Sequence, residues 1–277
     1  MTRTNPSWEI KSTGKSLDIV DFIQRTDGAT ISELLEEFDL SKSTLYKHLK
    51  TLKTRGYLTK EGEEYHVGLR FFHRGEYART RRVGYRLAAQ AVQELAKETG
   101  EETDFHVEND GRMIVIYESY HPDNPYGEDL NHPVEIREFA GTYYNMHSIA
   151  AGKATLATYS REQVEDIIDQ WGLPARTDHT ITSRERLFEE LDQIREEGYA
   201  RNDEEYADGL RAIATTVTAA DGTLLGTLSV SGPVYRLAGE KYETQLPNLL
   251  TETASDLEAS IRKKRREVFA TGESNEE

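Results

Sequence analysis

Residues 210–220, LRAIATTVTAA, and 223–232, TLLGTLSVSG, are two runs rich in β-branched residues with only Asp221-Gly222 between them. An Asp-Gly pair in that position signals a hairpin, because the tight turn needs left-handed backbone that these two residues tolerate. This part of the chain is therefore committed to an antiparallel sheet. The stretch just before it, GYARNDEEYAD, is acidic and reads as a lid, so that 198–233 as a whole is expected to form half of a small-molecule pocket.

The period of two recurs upstream. DFHVEN, a turn at Asp110-Gly111, MIVIYES and then PVEIREF read as further strands of the same sheet. Helical stretches at 148–158, 161–170, 183–197 and 239–266 are expected to cover it, the last with Leu246, Leu249, Leu250, Leu257 and Ile261 turned inward. Mixed helices and antiparallel strands make this an α+β chain.

The first 75 residues follow a different pattern. GKSLDIVDFIQRT at 14–26, with Leu17, Val20 and Ile23 in phase, is a first helix. Thr30 and Glu33 have capping-box spacing and start a second helix, ISELLEEF. Ser41 caps a third, KSTLYKHLKTLKTRG, whose Leu45, Leu49 and Leu52 face inward. YLTKEGEEYHVG then alternates as a hairpin, the wing of a winged helix-turn-helix. Residues 76–99, with Val83, Leu87, Ala91 and Leu95 in phase and Gly100 as the stop, read as one linker helix. The expected division is 1–75 for DNA binding, 76–100 for the linker, 101–268 for ligand binding and 269–277 as a disordered tail.

Charge separates the parts as clearly as periodicity does. The chain carries a formal −16, yet residues 1–75 hold 12 Lys and Arg against 11 Asp and Glu. The window 41–60 contains Lys42, Lys47, Lys50, Lys53, Arg55 and Lys60 and no acid. A basic patch in so acidic a chain points to a nucleic-acid face. The third helix should enter the major groove, offering Ser41, Lys42, Ser43, Thr44, Tyr46, Lys47 and His48 to bases and phosphates, with Lys50 and Lys53 on phosphate. Tyr46 is open to two readings, base reader or partly buried. Arg79, Arg81, Arg82 and Arg86, and the basic run Arg262 to Arg266, are read as solvated helix faces or as phosphate contacts.

Other chemistries are excluded or weakened. With no cysteine there is neither disulfide nor thiolate metal site. His121, Asp123, Asp129 and His132 sit in a polar loop at no metal-ligand spacing, so neither metal nor cofactor is expected. Gly152-Lys153 lacks the preceding glycines of a phosphate loop, while the small residues there would let a ligand approach helix N–H groups, to the advantage of an anion. His147 beside Ser148 is not a nucleophile and base facing one another. No run of apolar residues approaches the ~20 that span a bilayer, and the first ten residues lack a signal peptide's apolar centre. A cytoplasmic protein is expected, with no membrane partner.

Three motifs in order, MHSIAAGKATLA at 146–157, GYARNDEEYADGLRAIA at 198–214 and SVSGP at 229–233, resemble those of the IclR family of transcriptional regulators, and the likeness spans nearly the whole chain. The resemblance implies a winged helix-turn-helix, a linker helix and a GAF-like effector-binding domain, assembled as a homodimer or homotetramer on palindromic operator DNA. It implies a small-molecule effector, an organic acid, sugar-derived or aromatic metabolite, held by residues matching Ile136, Ala150, Ala151, Asn202, Leu210, Ala212, Ser229 and Ser231. Asn202 stands where the family commonly has aspartate and Ala212 where it commonly has cysteine, so another member's ligand does not transfer. Glu204, Glu205 and Tyr206 are read as structural around the pocket mouth. The function expected is effector-controlled DNA binding rather than catalysis, against an enzyme or a protein-interaction module carrying the same winged helix. Such acidity beside a DNA-binding patch fits a halophilic archaeal source, where salt near 1 M shortens screening to ~3 Å.

Overall fold

The computed structural model describes residues 9–120 and 141–272, with side chains as far as Glu267. The expected strand at 133–139, Ile136 and the polar loop with His121, Asp123, Asp129 and His132 lie outside the described residues. The chain divides into two compact units, Met1–Arg79 and Thr80–Glu277.

In the first unit α1 (Lys11–Arg25), α2 (Ile31–Glu37) and α3 (Lys42–Thr54) pack around Ile19, Ile23, Leu34, Leu45 and Leu49. Thr30 and Glu33 form the expected capping box: Glu33 N donates to Thr30 Oγ1 and Thr30 N to Glu33 Oε2. Leu17 was expected inward but is half exposed, since two turns of apolar spacing cannot say where the buried stripe ends. The hairpin β2 (Leu58–Glu61) and β3 (Glu64–Val67) gains a third strand, β1 (Ala29–Thr30), paired to β3. Two residues are too short to show alternation. α4 (Arg70–Thr80) buries none of its residues within this unit.

The expected single linker helix is two. α4 ends at Thr80 and α5 (Val83–Thr99) begins after Arg82, whose backbone is extended. The break satisfies what it exposes: Arg86 donates to the Thr80 carbonyl at 2.7 Å, a cation where the helix dipole is negative. Gly84 at the start of α5 packs against Leu225, whose side chain would have to shift to admit a Cβ. Arg79 pairs with Glu76 at 2.6 Å.

The second unit is one antiparallel sheet of six strands in the order β6-β5-β4-β9-β8-β7. They are β4 (Glu102–Asn109), β5 (Arg112–Ser119), β6 (Tyr143–Asn145), β7 (Ala200–Asp203), β8 (Leu210–Thr218) and β9 (Leu224–Pro233). Alternation sends Phe105, Ile213, Leu228 and Val230 to one face, where α5 and α9 (Leu246–Gly272) cover them. It sends Met113, Val115 and Ala214 to the other, under α6 (Ala150–Ala157), α7 (Arg161–Trp171) and α8 (Arg184–Glu197). α9 continues past its expected end at Arg266, into the stretch read as a tail, and Arg262 and Arg265 of its basic run pair with Glu258 and Asp221.

α6 sits closest to the sheet, every one of its residues buried. Gly152 makes that possible: a Cβ there would overlap the backbone of Met146. Gly75, by contrast, lies in α4 with nothing within 4 Å of where a Cβ would go. Gly152→Ala should therefore lower urea-unfolding stability by about 1–3 kcal/mol, while Gly75→Ala raises it by roughly 0.5–1 kcal/mol through lost unfolded-state freedom. Equal effects of the same sign would contradict the packing described.

Candidate functional site

Two rungs of the sheet make the floor of a cavity. Across β5, β4, β9 and β8 run Glu118, Asp104, Ser229 and Ala214; one rung along, β4, β9, β8 and β7 align Glu102, Ser231, Ala212 and Asn202. The two rungs are two residues apart on each strand they share, so their side chains leave on the same face. α6 roofs them with Ala150 and Ala151, whose small side chains leave space that larger ones would fill. The space these residues line is about 580 Å³ counted out into open solvent, and the room for whole water-sized molecules within it is about 70 Å³.

Seven of the eight expected effector residues meet here: Ala150, Ala151, Asn202, Leu210, Ala212, Ser229 and Ser231. The eighth, Ile136, is outside the described residues. Sequence reasoning missed the contribution of β4 and β5, namely Glu102, Asp104, His106, Val115 and Glu118, together with Tyr144, Ile149 and Tyr206. A signal existed in DFHVEN, where Asp104 and His106 share a face opposite Phe105 and Val107. It reads as an ordinary solvent face, because only the fold reveals that α6 covers it.

Asn202 is rigidly held. Its Nδ2 donates to the Ser148 carbonyl at 2.7 Å, and Tyr242 Oη donates to its own carbonyl at 3.1 Å. Its Oδ1 is buried without a partner among the described residues. Ser229 Oγ lies 3.5 Å from Asp104 Oδ2 and 3.4 Å from His106 Nδ1. Three residues of hydrolytic type are thus neighbours, but acid and imidazole both face the hydroxyl. A triad requires the acid on the far ring nitrogen, so this arrangement orients Ser229 rather than activating it. Burial pushes the His106 imidazole down to about 3, which keeps it neutral.

The lid is fastened from below and from the side. Lys153, completely buried in α6, donates to Glu205 Oε1 at 2.5 Å and to Glu190 Oε1 at 2.7 Å. Burial nevertheless pushes the Glu205 carboxyl up, against the pull of Lys153. Thr177 and Thr180 donate to the carbonyls of Glu204 and Glu205 at 2.7 and 2.6 Å, and Glu204 takes a left-handed backbone conformation. Glu205 is thus structural, as expected, while its neighbour Tyr206 turns into the cavity wall, edge-on to Tyr144. Gly152-Lys153 serves packing and this ion triad, not phosphate.

In the first unit α3 presents Lys42, Ser43, Tyr46, Lys47, Lys50 and Lys53 to solvent, with Tyr46 more than half exposed. Ser41 accepts the Thr44 N–H as N-cap. His48 is half-buried and its Nδ1 pairs with Ser16 Oγ at 2.7 Å, so its ring is engaged with α1. Among the described residues no group of three or more His, Cys, Asp or Glu is arranged to hold a metal, and no helix is long and apolar enough to cross a membrane.

A three-helix unit with a winged hairpin and a basic outward helix, joined in one chain to a sheet domain with a walled cavity, defines a class: a DNA-binding protein with a ligand-binding unit. Comparison with known proteins makes the class specific. Residues 12–62 match the IclR helix-turn-helix domain and residues 80–259 the C-terminal domain of bacterial IclR transcriptional regulators. The chain belongs to the IclR family. It is 31% identical over 253 residues to a probable HTH-type transcriptional regulator, ArcR, of Halobacterium salinarum, covering 91% of this chain and 94% of that one. It is 32% identical over 223 residues to the regulator KdgR of Escherichia coli, covering 80% and 81%. The crystal structure of Thermotoga maritima IclR superposes with a TM-score of 0.70 at 22% identity, covering 92% of this chain and all of the other, which shows the shared fold.

His106 gives the site a signature in pH. Its folded value near 3 lies below the ordinary 6.5. The unfolded chain therefore binds the extra proton first, and stability is full above pH 6.5 and lost as pH falls below it. Between pH 7 and 5 that single proton is worth on the order of 2 kcal/mol. His106→Gln should remove that part of the acid sensitivity, measured as unfolding free energy at both values. An unchanged slope would show that the imidazole is not buried and neutral.

Proposed function

We propose that this protein is a transcriptional regulator whose affinity for operator DNA is set by a small metabolite held in the cavity between the sheet and α6. The single observation that carries the reading is the convergence of Ala150, Ala151, Asn202, Leu210, Ala212, Ser229 and Ser231 on one walled space. Ligand binding there favours one arrangement of paired winged helices over another, by as much as its affinities for the two differ. Lys42, Ser43, Tyr46 and Lys47 read or position DNA, Lys50 and Lys53 hold phosphate, and Ser41 and Thr44 fix the start of the helix that carries them.

The working unit is a homodimer, or a pair of dimers, in the cytoplasm. Support comes from apolar side chains that the first unit leaves exposed, Ile10 and Leu17 around α1 and Leu69, Phe72 and Tyr77 around α4. A second copy would cover them. Salt is the setting in which this works. Residues 76–277 carry 22 Lys and Arg against 39 Asp and Glu, and their long-range repulsion of DNA fades when the screening length is only ~3 Å. The Halobacterium relative is in keeping with such a source. The curated relatives are named regulators, and turnover has no part in the reading.

Lys47→Glu should abolish retention of operator fragments selected from genomic DNA by the wild-type protein, while leaving the unfolding temperature and its rise on ligand binding unchanged. Loss of both, or of neither, contradicts a division of labour between the units.

A further inference from the structure

α9 carries its charges in two blocks. Between Leu246 and Ser260 the charged residues are Glu252, Asp256 and Glu258, all acidic; from Ile261 to Glu267 they are Arg262, Lys263, Lys264, Arg265 and Arg266 against Glu267. Part of the basic block is engaged within the unit. Glu258 and Asp221 hold Arg262 and Arg265, and Lys264 reaches Glu267 at 2.8 Å. Lys263 and Arg266 are exposed.

The inner face of α9, with Leu250, Ala254, Leu257 and Ile261, packs into the core of the unit. On the flank beside α5 the described residues leave a groove with room for about 340 Å³ of water-sized molecules, against about 70 Å³ in the cavity under α6. Glu94 and Glu98 of α5 line it, as do Glu252 and Asp256 of α9, and Leu87 and Leu249 give it apolar surface. Glu94 also accepts from Gln90 Nε2 at 2.7 Å, a neutral donor that leaves its charge in place. An acidic groove with apolar surface suits a basic helix laid along it, and this chain carries one at the end of α9 itself.

The spacing favours a second copy as the occupant. Glu252, Asp256, Ser260 and Lys263 follow one another at steps of four, four and three, so they share the flank that borders the groove. Ser260 and its neighbour Ala259 are small and exposed, which lets a second helix approach closely there. With an antiparallel mate across a two-fold axis at that point, Asp256 and the partner's Lys263 each lie about 5 Å along the helix from the axis, and so face one another. Glu252 and the partner's Arg266 match to within one residue. Symmetry makes every such contact twice. A parallel pair would set acid against acid and base against base, so the pattern discriminates against it.

We propose that two copies of this chain pair through α9, antiparallel and centred near Ser260, each laying its basic end along the groove between α5 and α9 of the other. The apolar surface supplies affinity, and the charges fix register and orientation. The contact is distinct from the one read through α1 and α4, and rests only on the reading that the protein works in more than one copy.

The chain has no cysteine, so one introduced thiol reports on one contact. In the full-length protein Ser260→Cys sets the two thiols at the axis; Ser255→Cys sets them about 13 Å apart along the helices, beyond the roughly 7 Å between Cα atoms that a disulfide spans. With diamide as oxidant, Ser260→Cys is expected to give a disulfide-linked pair at least tenfold faster than Ser255→Cys. Adding Asp256→Lys or Lys263→Asp to Ser260→Cys should slow the reaction about tenfold, at the lowest salt in which the protein stays folded, where screening is least. Co-expressing the two reversed chains should restore the rate, because every contact in the mixed pair is again opposite in charge. All four positions are exposed, so the changes leave the folded unit intact. Equal rates for the two thiols, or no slowing by either reversal, overturns the contact. Slowing by Asp256→Lys alone overturns it too and gives the groove to another basic segment, and slowing by both without recovery in the mixture overturns the register. Sedimentation separates the wider failure: an unlinked Ser260→Cys protein that sediments as a dimer or larger loses this surface only, whereas a monomer overturns the multi-copy reading as well.

Discussion

A lysine without access to water ties the ligand-binding unit together. Lys153 projects from α6 to carboxylates on two other elements, Glu190 of α8 and Glu205 in the turn after β7. Removing one member of such a triad leaves a buried charge uncompensated, which typically costs about 3–5 kcal/mol. The triad need not stabilise the unit relative to an apolar core of equal volume. What it does is fix positions: the helix that roofs the cavity, the helix that braces it and the lid all close on one nitrogen. Tyr206 then follows Glu205 directly into the cavity wall.

Everything about α6 serves that closeness. Its alanines and Gly152 let it lie on the sheet with Ala150 and Ala151 above the two polar rungs. Residues that would otherwise face solvent, Asp104 and His106 among them, become cavity lining. The burial that holds His106 neutral and the covered row of carboxylates have the same cause, a small-residue helix laid across the polar face of an antiparallel sheet.

Much of this architecture was legible in the chain itself. The hairpin at Asp221-Gly222, the capping box at Thr30 and Glu33, the Leu45 and Leu49 stripe and the stop at Gly100 are local, and local chemistry decides them. The C-terminal wall of the cavity was legible from 198–233 because its residues are neighbours in sequence. Its other wall was not: β4 lies beside β9, so that Asp104 meets Ser229 across 125 positions. No periodicity carries that pairing. The split of the linker helix was equally hidden, since nothing in the apolar spacing marks the extended backbone at Arg82.

The account turns on coupling between two sites on one chain, and coupling is reciprocal: whatever factor the ligand imposes on operator affinity, operator must impose on ligand affinity. The most direct measurement is calorimetric titration of the ligand into free protein and into the protein–operator complex, alongside operator affinity with and without saturating ligand. The account predicts the same factor from both routes, within the roughly 5–150-fold range of allosteric couplings. Equal ligand affinity in the free and operator-bound states would contradict it.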